Sequence, residues 1–399
     1  MTTRTEELVY DPYDYAIHDD PYPTYARMRE EAPLYHSDLY GFWALSRHSD
    51  VAAGFKDGRR LSNRYGVSLD PASFGPEAHR AMSFLAMDPP DHTRMRALVS
   101  RGFTPKRVAD LTARIERITM SHLEPALAGG RFDFVTDLAG LVPMDVISEL
   151  LGVAPSDRAE LRRLADLLVH RDAGVLDVPA AGIEAAILLA GYFSDLIAAR
   201  RRAPTGDLTS ALTVAEVDGD RLSDDEIISF LILMVVAGNE TTTKLLANAW
   251  YWAARFRPVM DAVTEDPDRV PAWVEETLRY DTSTQMLVRV THGPVELLGT
   301  VIPPDSPVLL LLGSANRDPA VFPDPDTYDI GRDASKLISF GAGRHFCLGA
   351  SLARLEARTV LRLLAERCSG WEVDEAAAAR VHSINVRGFA ALPTTTEAK

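Results

Sequence analysis

The sequence predicts a mainly α-helical fold with small β-sheets beside a large helical body. Three observations carry that expectation. A capping pair, Ser223 with Glu226 three residues on, opens an apolar-periodic run that reaches Pro258. Patterns of helical period fill most of the chain before it. Short β-branched and leucine-rich runs, broken by Gly299, Pro303, Pro304 and Pro307, are confined to residues 294–312, and a hairpin pattern follows at 381–392.

Taken in order, residues 21–31 read as a short helix with Tyr25 and Met28 on one face, and 41–46 as a strand turning into a helix at Asp50. Residues 104–128 read as one helix with Pro105 in its first turn. Two amphipathic helices, 156–170 and 179–202, are joined by a loop at 171–178 and followed by a basic, proline-containing turn at 201–205. The run opened by Ser223 is unusually long and apolar nearly all round in its first half, so it is expected to pass buried through the centre. No internal repeat and no linker rich enough to separate domains occurs, so residues 1–399 are expected to form one domain.

Composition narrows the function. The chain of 399 residues carries 42 basic against 57 acidic residues, a net charge of -15, which excludes a nucleic-acid-binding role. Two cysteines exclude a disulfide scaffold and a cysteine-rich metal site. The longest apolar stretch, 227–237, is broken by Ser229 and falls short of the ~20 residues of a membrane span. The first fifteen residues are polar and acidic, without a signal core, so a cytoplasmic protein with no membrane anchor is expected.

Phe340-Gly341-Ala342-Gly343-Arg344-His345-Phe346-Cys347-Leu348-Gly349 is the most specific segment. It sets one cysteine in a glycine-rich loop just before a helical pattern. A thiolate presented there suits a haem iron as proximal ligand. The glycines let the backbone pass close to a flat macrocycle, and backbone N–H groups moderate the charge on sulfur. Cys368, near the end of the next helix, has no such setting and reads as a packing residue.

The spacing F-G-x-G-x-H-x-C-x-G resembles the haem-binding signature of the cytochrome P-450 family in its bacterial form. The resemblance implies the cytochrome P-450 fold, with haem b buried between a long central helix and a cysteine-ligand loop, and Cys347 as the axial thiolate. It spans nearly the whole chain, from Asp20-Pro21-Tyr22 through Asn316-Arg317-Asp318-Pro319 and Phe322-Pro323-Asp324-Pro325 to Arg387-Gly388-Phe389.

Inside the long helix, Ala237-Gly238-Asn239-Glu240-Thr241-Thr242 joins an acid to an alcohol. Glycine weakens the helical ladder, and a threonine hydroxyl can take over a carbonyl's hydrogen bond and open a kink. An acid beside an alcohol can relay protons. The segment is similar to the family's A-G-x-D/E-T-T motif. That likeness implies Thr241 holding the proton-delivering water, Glu240 linking it to solvent, and Ala237 beside the haem. Glutamate stands where many members carry aspartate. Glu276-Thr277-Leu278-Arg279 is an E-x-x-R pair on one helix face. The family completes it with a second arginine, here Arg332, as a structural triad for folding and haem insertion.

By the same resemblance, His92, Arg96, Arg289 and His345 bind the haem propionates. Arg289 sits in an apolar run where an unpaired charge would be costly. The residues facing substrate would be Val67, Ser68, Leu69, Phe84, Leu85, Val236, Met286, Leu287, Val288, Ile384 and Val386. Their mostly aliphatic character suits a terpenoid, fatty, steroid or polyketide-like small molecule. Arg64, His170 and Arg387 are candidate anchors for a substrate carboxylate.

The implied reaction inserts one atom of dioxygen into a C–H or C=C bond. No flavin or nicotinamide fingerprint and no iron–sulfur cysteine set occurs, so a separate ferredoxin with its reductase must supply electrons. Arg101, Lys106, Arg107, Arg344, Arg354 and Arg358 are candidates for its docking patch, and a monomer is expected. The alternatives are a peroxide-driven or redox-neutral haem-thiolate enzyme, a non-catalytic haem sensor or carrier, and a haem-free helical interaction protein.

Overall fold

The computed structural model describes residues 7–71, 73–170 and 178–399, so most of the expected 171–178 loop lies outside the described residues. Near the start stand helix α1 (Tyr22–Glu31), the hairpin β1 (Leu34–Ser37) and β2 (Phe42–Leu45), then α2 (His48–Lys56) and β3 (Leu61–Ser62). Tyr25 and Met28 of α1 are buried, as their common face requires. Helix α3 (Asp91–Ser100) follows.

The stretch expected as one helix from 104 is two: α4 (Pro105–Ala109) and α5 (Thr112–Ala128). At the junction Leu111 N bonds to Val108 O, a tighter turn that lets both Val108 and Leu111 reach the core. After β4 (Arg131–Asp133) come α6 (Val142–Leu151), α7 (Arg158–Val169) and α8 (Ala180–Arg202).

The central helix, α9, spans Asp224–Arg255, and both halves of the Ser223–Glu226 capping box form. It stops short of Pro258, which instead lies in the first turn of α10 (Arg257–Glu265). Its C-terminal half is core: Trp250 stacks on Trp371 with ring centroids 3.8 Å apart and on Phe134 at 4.8 Å. Among the described residues two helices are long and apolar enough to cross a membrane, α8 and α9, although the uncharged stretches in the sequence are shorter than a span. Most of α9 is buried inside the protein. In α8 the exposed Ile183 and Ile187 line the mouth of a cavity.

Beyond α11 (Val270–Tyr280) comes β5 (Met286–Thr291), a strand before the expected 294–312 stretch, and then β6 (Val295–Leu297), β7 (Thr300–Ile302) and β8 (Pro307–Leu311), which fall within it. The main sheet has the order β1-β2-β8-β5-β3. Its central strand β8 runs parallel to β2 and antiparallel to β5, and Val308–Leu311 are fully buried, which explains the unbroken apolar run. Helix α12 (Ala350–Arg367) precedes β9 (Cys368–Val373), β10 (Ala379–Arg380), β11 (Phe389–Ala391) and β12 (Pro393–Ala398). The hairpin expected at 381–392 is reduced to the short β10–β11 pair, and the loop between them bridges back through Val386 to Thr284. Cys368 is buried in the core.

Candidate active site

The loop before α12 is shaped by its glycines. Gly341 and Gly343 adopt φ of +68° and +71°, and a Cβ on Gly343 would lie 2.9 Å from the Phe55 carbonyl of α2. The loop then closes through Cys347 N, which donates to Phe340 O at 3.0 Å. Cys347 lies deep in the fold but faces an open cavity. Burial pushes its thiol pKa up. The backbone N–H groups of Gly349 and Ala350 and the cations Arg96 and Arg354 oppose that rise.

Ala237 and Thr241 of α9 line the same cavity. The Thr241 hydroxyl donates to Ala237 O at 2.8 Å, and Thr243 does the same to Asn239 O at 3.0 Å. These are the back-bonds expected of a threonine pair, yet α9 runs without a break from Asp224 to Arg255. The side-chain bonds that the expected kink relies on are thus present within a continuous helix. Glu240 also lines the cavity, and burial raises its pKa.

The cavity measures about 2440 Å³, well above the roughly 300–1,000 Å³ of a typical small-molecule pocket. It has room for a flat macrocycle and a second molecule. Its polar rim asks for an anion. His92 and His345 lie with ring centroids 3.9 Å apart, and neither ring nitrogen of either one has a partner. Arg96 donates to Phe346 O at 2.6 Å but leaves Nη1 unpartnered. Arg289, 2% exposed, donates to Val288 O at 2.7 Å, and burial lowers its pKa to about 10. Burial, then Arg96 and Arg344, bring His92 down to about 4, and His345 is lowered further by burial and by His92. Arg96 and His345 line the cavity together with Cys347, with His92 stacked on His345, and these residues with the buried Arg289, none of the four held in an ion pair among the described residues, fit the two propionates and the iron of a haem.

The E-x-x-R pair is buried behind this site. Arg279 Nε and Nη2 donate to the two Glu276 oxygens at 2.8 and 2.7 Å, and Arg332 Nε lies 3.6 Å from Glu276 Oε1. The structure thus brings all three residues together.

Other candidates move. Ser68, Phe84, Leu85, Val236, Leu287, Ile384 and Val386 line the cavity; Val67, Leu69, Met286 and Val288 do not. Strand alternation explains β5: Leu287 faces the cavity, while Met286 and Val288 face the opposite layer, where Tyr10 Oη approaches Met286 Sδ at 3.7 Å. Arg64 is paired with Asp305 at 2.5 Å. Arg387 is held by Asp281 at 2.7 Å and by the carbonyls of His18 and Asp19, so it ties the N-terminal segment to the core and is no carboxylate anchor. His170 remains at the cavity lining. Arg354 and Arg358 are engaged by Glu275 at 2.7 and 2.9 Å, which weakens their claim to a docking patch. Arg101, Lys106 and Arg107 are exposed.

Among the cavity residues that escaped the sequence reading, three bear on its charge. Lys244 stands one turn beyond Glu240, a spacing visible as E-T-T-T-K. Asp166 of α7 acts on both of them. Glu356 of α12 is buried with Oε2 unpartnered, and burial holds its pKa well above the carboxylate range. Only the fold brings these last two to the site.

The family profile described as Cytochrome P450 matches residues 193–380. Cytochrome P450 123 of Mycobacterium bovis is 57% identical over 100% of both chains. The vitamin D(3) 25-hydroxylase of Pseudonocardia autotrophica is 39% identical over 92% of this chain and 90% of its own. A solved cytochrome P450 from Chondromyces apiculatus superposes with a TM-score of 0.89 at 35% identity, covering 98% of each chain. Alike in sequence over its whole length and in fold over nearly all of it, this chain belongs to the cytochrome P450 family of monooxygenases, which bind haem through an axial cysteine thiolate.

Proposed function

We propose that this chain is a single-domain, cytoplasmic, monomeric monooxygenase that hydroxylates or epoxidises a bulky apolar small molecule with electrons from a ferredoxin. The observation that carries the reading is one cavity lined by Cys347, by Ala237 and Thr241 of α9, and by aliphatic side chains. When bound, the haem supplies dioxygen activation and transfer of one oxygen atom to carbon, the other leaving as water. Cys347 would supply the thiolate to its iron, steadied by the Gly349 and Ala350 N–H groups. His92, Arg96, Arg289 and His345 would hold the propionates. Thr241 holds a proton near the oxygen side of the site, and Glu240 feeds it. Phe84, Leu85, Val236, Leu287, Ile384 and Val386 exclude water and hold the substrate carbon in place, so regioselectivity is positioning.

A relative named for vitamin D(3) supports a large apolar substrate. With that compound as probe, the haem absorption should shift on binding and ferredoxin-driven turnover should give a hydroxylated product. Thr241→Ala should keep the shift, lose product per electron pair by about tenfold or more, and release hydrogen peroxide instead. Equal yield from Thr241→Ala, or peroxide-driven turnover exceeding the ferredoxin-driven rate, would overturn this reading in favour of a peroxide-using enzyme.

The donor must dock on the cysteine side despite the chain's charge of -15, which requires local cations. Arg101, Lys106, Arg107 and Arg344 are the exposed candidates there. Reversing Arg101 and Arg107 to glutamate should slow ferredoxin reduction of the haem and flatten its salt dependence. An unchanged rate at low salt would remove the patch.

A further inference from the structure

Lys244 is nearly buried, with 7% of its surface exposed. Its ammonium donates to Phe389 O of β11 at 3.0 Å. Its stem lies against Gly388: a Cβ at that glycine would come within 2.6 Å of Lys244 Cβ and 2.9 Å of Cγ and Cδ. The start of β11 and the glycine before it therefore hold the lysine from outside α9. A carbonyl is a neutral acceptor and cannot balance an ammonium. The charges that do bear on Lys244 are Glu240, one turn earlier on α9, and Asp166 of α7. Lys244 is also the cation that opposes the effect of burial on Glu240.

The surroundings complete a polar file. Asp166 faces Arg162 as well as Lys244. Arg162 reaches Asp145 of α6 at 3.4 Å, and Asp145 takes His122 of α5 at 2.8 Å. Charged groups from α5, α6 and α7 are thus linked in sequence, and the last of them, Asp166, acts on both Lys244 and Glu240 of α9, while β11 offers a carbonyl.

We propose that Lys244 is a positioning residue that sets the charge state of Glu240, with Gly388 and Phe389 fixing where its ammonium sits. The proposal rests on the reading of Glu240 as the acid that feeds Thr241. A buried carboxyl without a cation stays protonated, because burial disfavours the carboxylate left behind when its one proton is passed on. An ammonium one turn away makes the carboxylate less costly, and a relay has to pass through both forms.

The sign follows from linkage. Burial raises the Glu240 pKa in the folded protein, so folding is favoured at low pH and that stability is lost as pH rises from the unfolded value of 4.5 through the folded one. Lys244 opposes the rise. Lys244→Met, which keeps the apolar stem, should therefore lose thermal stability more at about pH 8 than at about pH 5. Adding Glu240→Gln should recover most of that extra loss. Asp166 keeps its own share, which the second substitution leaves in place.

The test uses the haem-loaded full chain: unfolding midpoints of the wild type, Lys244→Met, Glu240→Gln and the double variant at both pH values. It also follows the protonated-carboxyl infrared band that Glu240→Gln deletes. In Lys244→Met that band should titrate about one pH unit higher or more. Gly388→Ala, which crowds the stem but keeps the charge, should move it too. A pH-independent loss that Glu240→Gln does not relieve, with an unmoved band, overturns the proposal. If Lys244→Met fails to load haem, an unmoved band in Gly388→Ala does so. Undiminished product yield in Glu240→Gln, together with a shifted band in Lys244→Met, would instead sink the relay reading and leave the hold of Lys244 on Glu240 standing.

Discussion

Replacing Cys347 by serine should abolish turnover while leaving the fold intact. The side chain faces a cavity and makes no packing contribution that a hydroxyl of similar size would lose. The loop is set by Gly341, Gly343 and the Cys347 N to Phe340 O bond, none of which uses sulfur. What disappears is thiolate donation to iron, the property that favours O–O cleavage. Activity should fall on the order of a thousandfold or more. The measurement is the absorption of reduced protein under carbon monoxide. The wild type should show the thiolate–haem position, and Cys347→Ser should not. A wild-type spectrum at the histidine-ligated position would remove the basis of the mechanism. Cys368→Ser, in the core at the start of β9, should leave the spectrum unchanged.

Glu276→Ala should produce the second large effect, on folding and not on chemistry. Glu276 and Arg279 are 1% and 0% exposed, and the arginine fork is bidentate. Arg279 also donates to the carbonyls of Asn316, Pro325 and Thr327 at 3.1, 2.9 and 3.1 Å, and Glu276 Oε1 accepts from Asp329 N at 2.9 Å. The pair thereby ties α11 to the segment leading into the cysteine loop. Nearby, Ser339 Oγ donates to Leu278 O at 2.6 Å and Asn316 Oδ1 accepts from Ile338 N. Removing the carboxylate strands Arg279 in the interior and leaves Arg332 without its ion-pair partner. Breaking a buried pair in this way costs about 3–5 kcal/mol, a large share of the roughly 5–15 kcal/mol that holds a domain together. The expected product is aggregated, haem-poor protein, read as soluble yield and haem content per chain. A soluble, fully loaded Glu276→Ala protein would show that the triad has no structural role.

The helices that carry the site were legible because their signals are local. The capping box at Ser223, the apolar run after it and the proline beyond its end define α9 to within a turn, whatever packs against it. The cysteine loop was legible for the same reason: glycines that adopt positive φ and a cysteine before a helix are properties of ten consecutive residues. The junction near Leu111 was not, because two apolar residues three apart fit either one helix or a tight turn, and contact with the core chose the turn.

Side-chain destination was the other blind spot. Met286, Leu287 and Val288 are alike as letters, and only the pleat of β5 sends Leu287 to the cavity and its neighbours away. Arg387 and Arg354 were free cations on the page until Asp281 and Glu275, distant in sequence, took them. The sequence by itself determined the central helix, the thiolate loop and the acid–alcohol pair, since each depends on neighbours along the chain. Tertiary structure alone decided which charges are paired, which face of a strand meets the cavity, and that Gly388 and Phe389 hold Lys244 beside Glu240. Those outcomes depend on burial and on contacts between segments far apart in sequence, which no local pattern encodes.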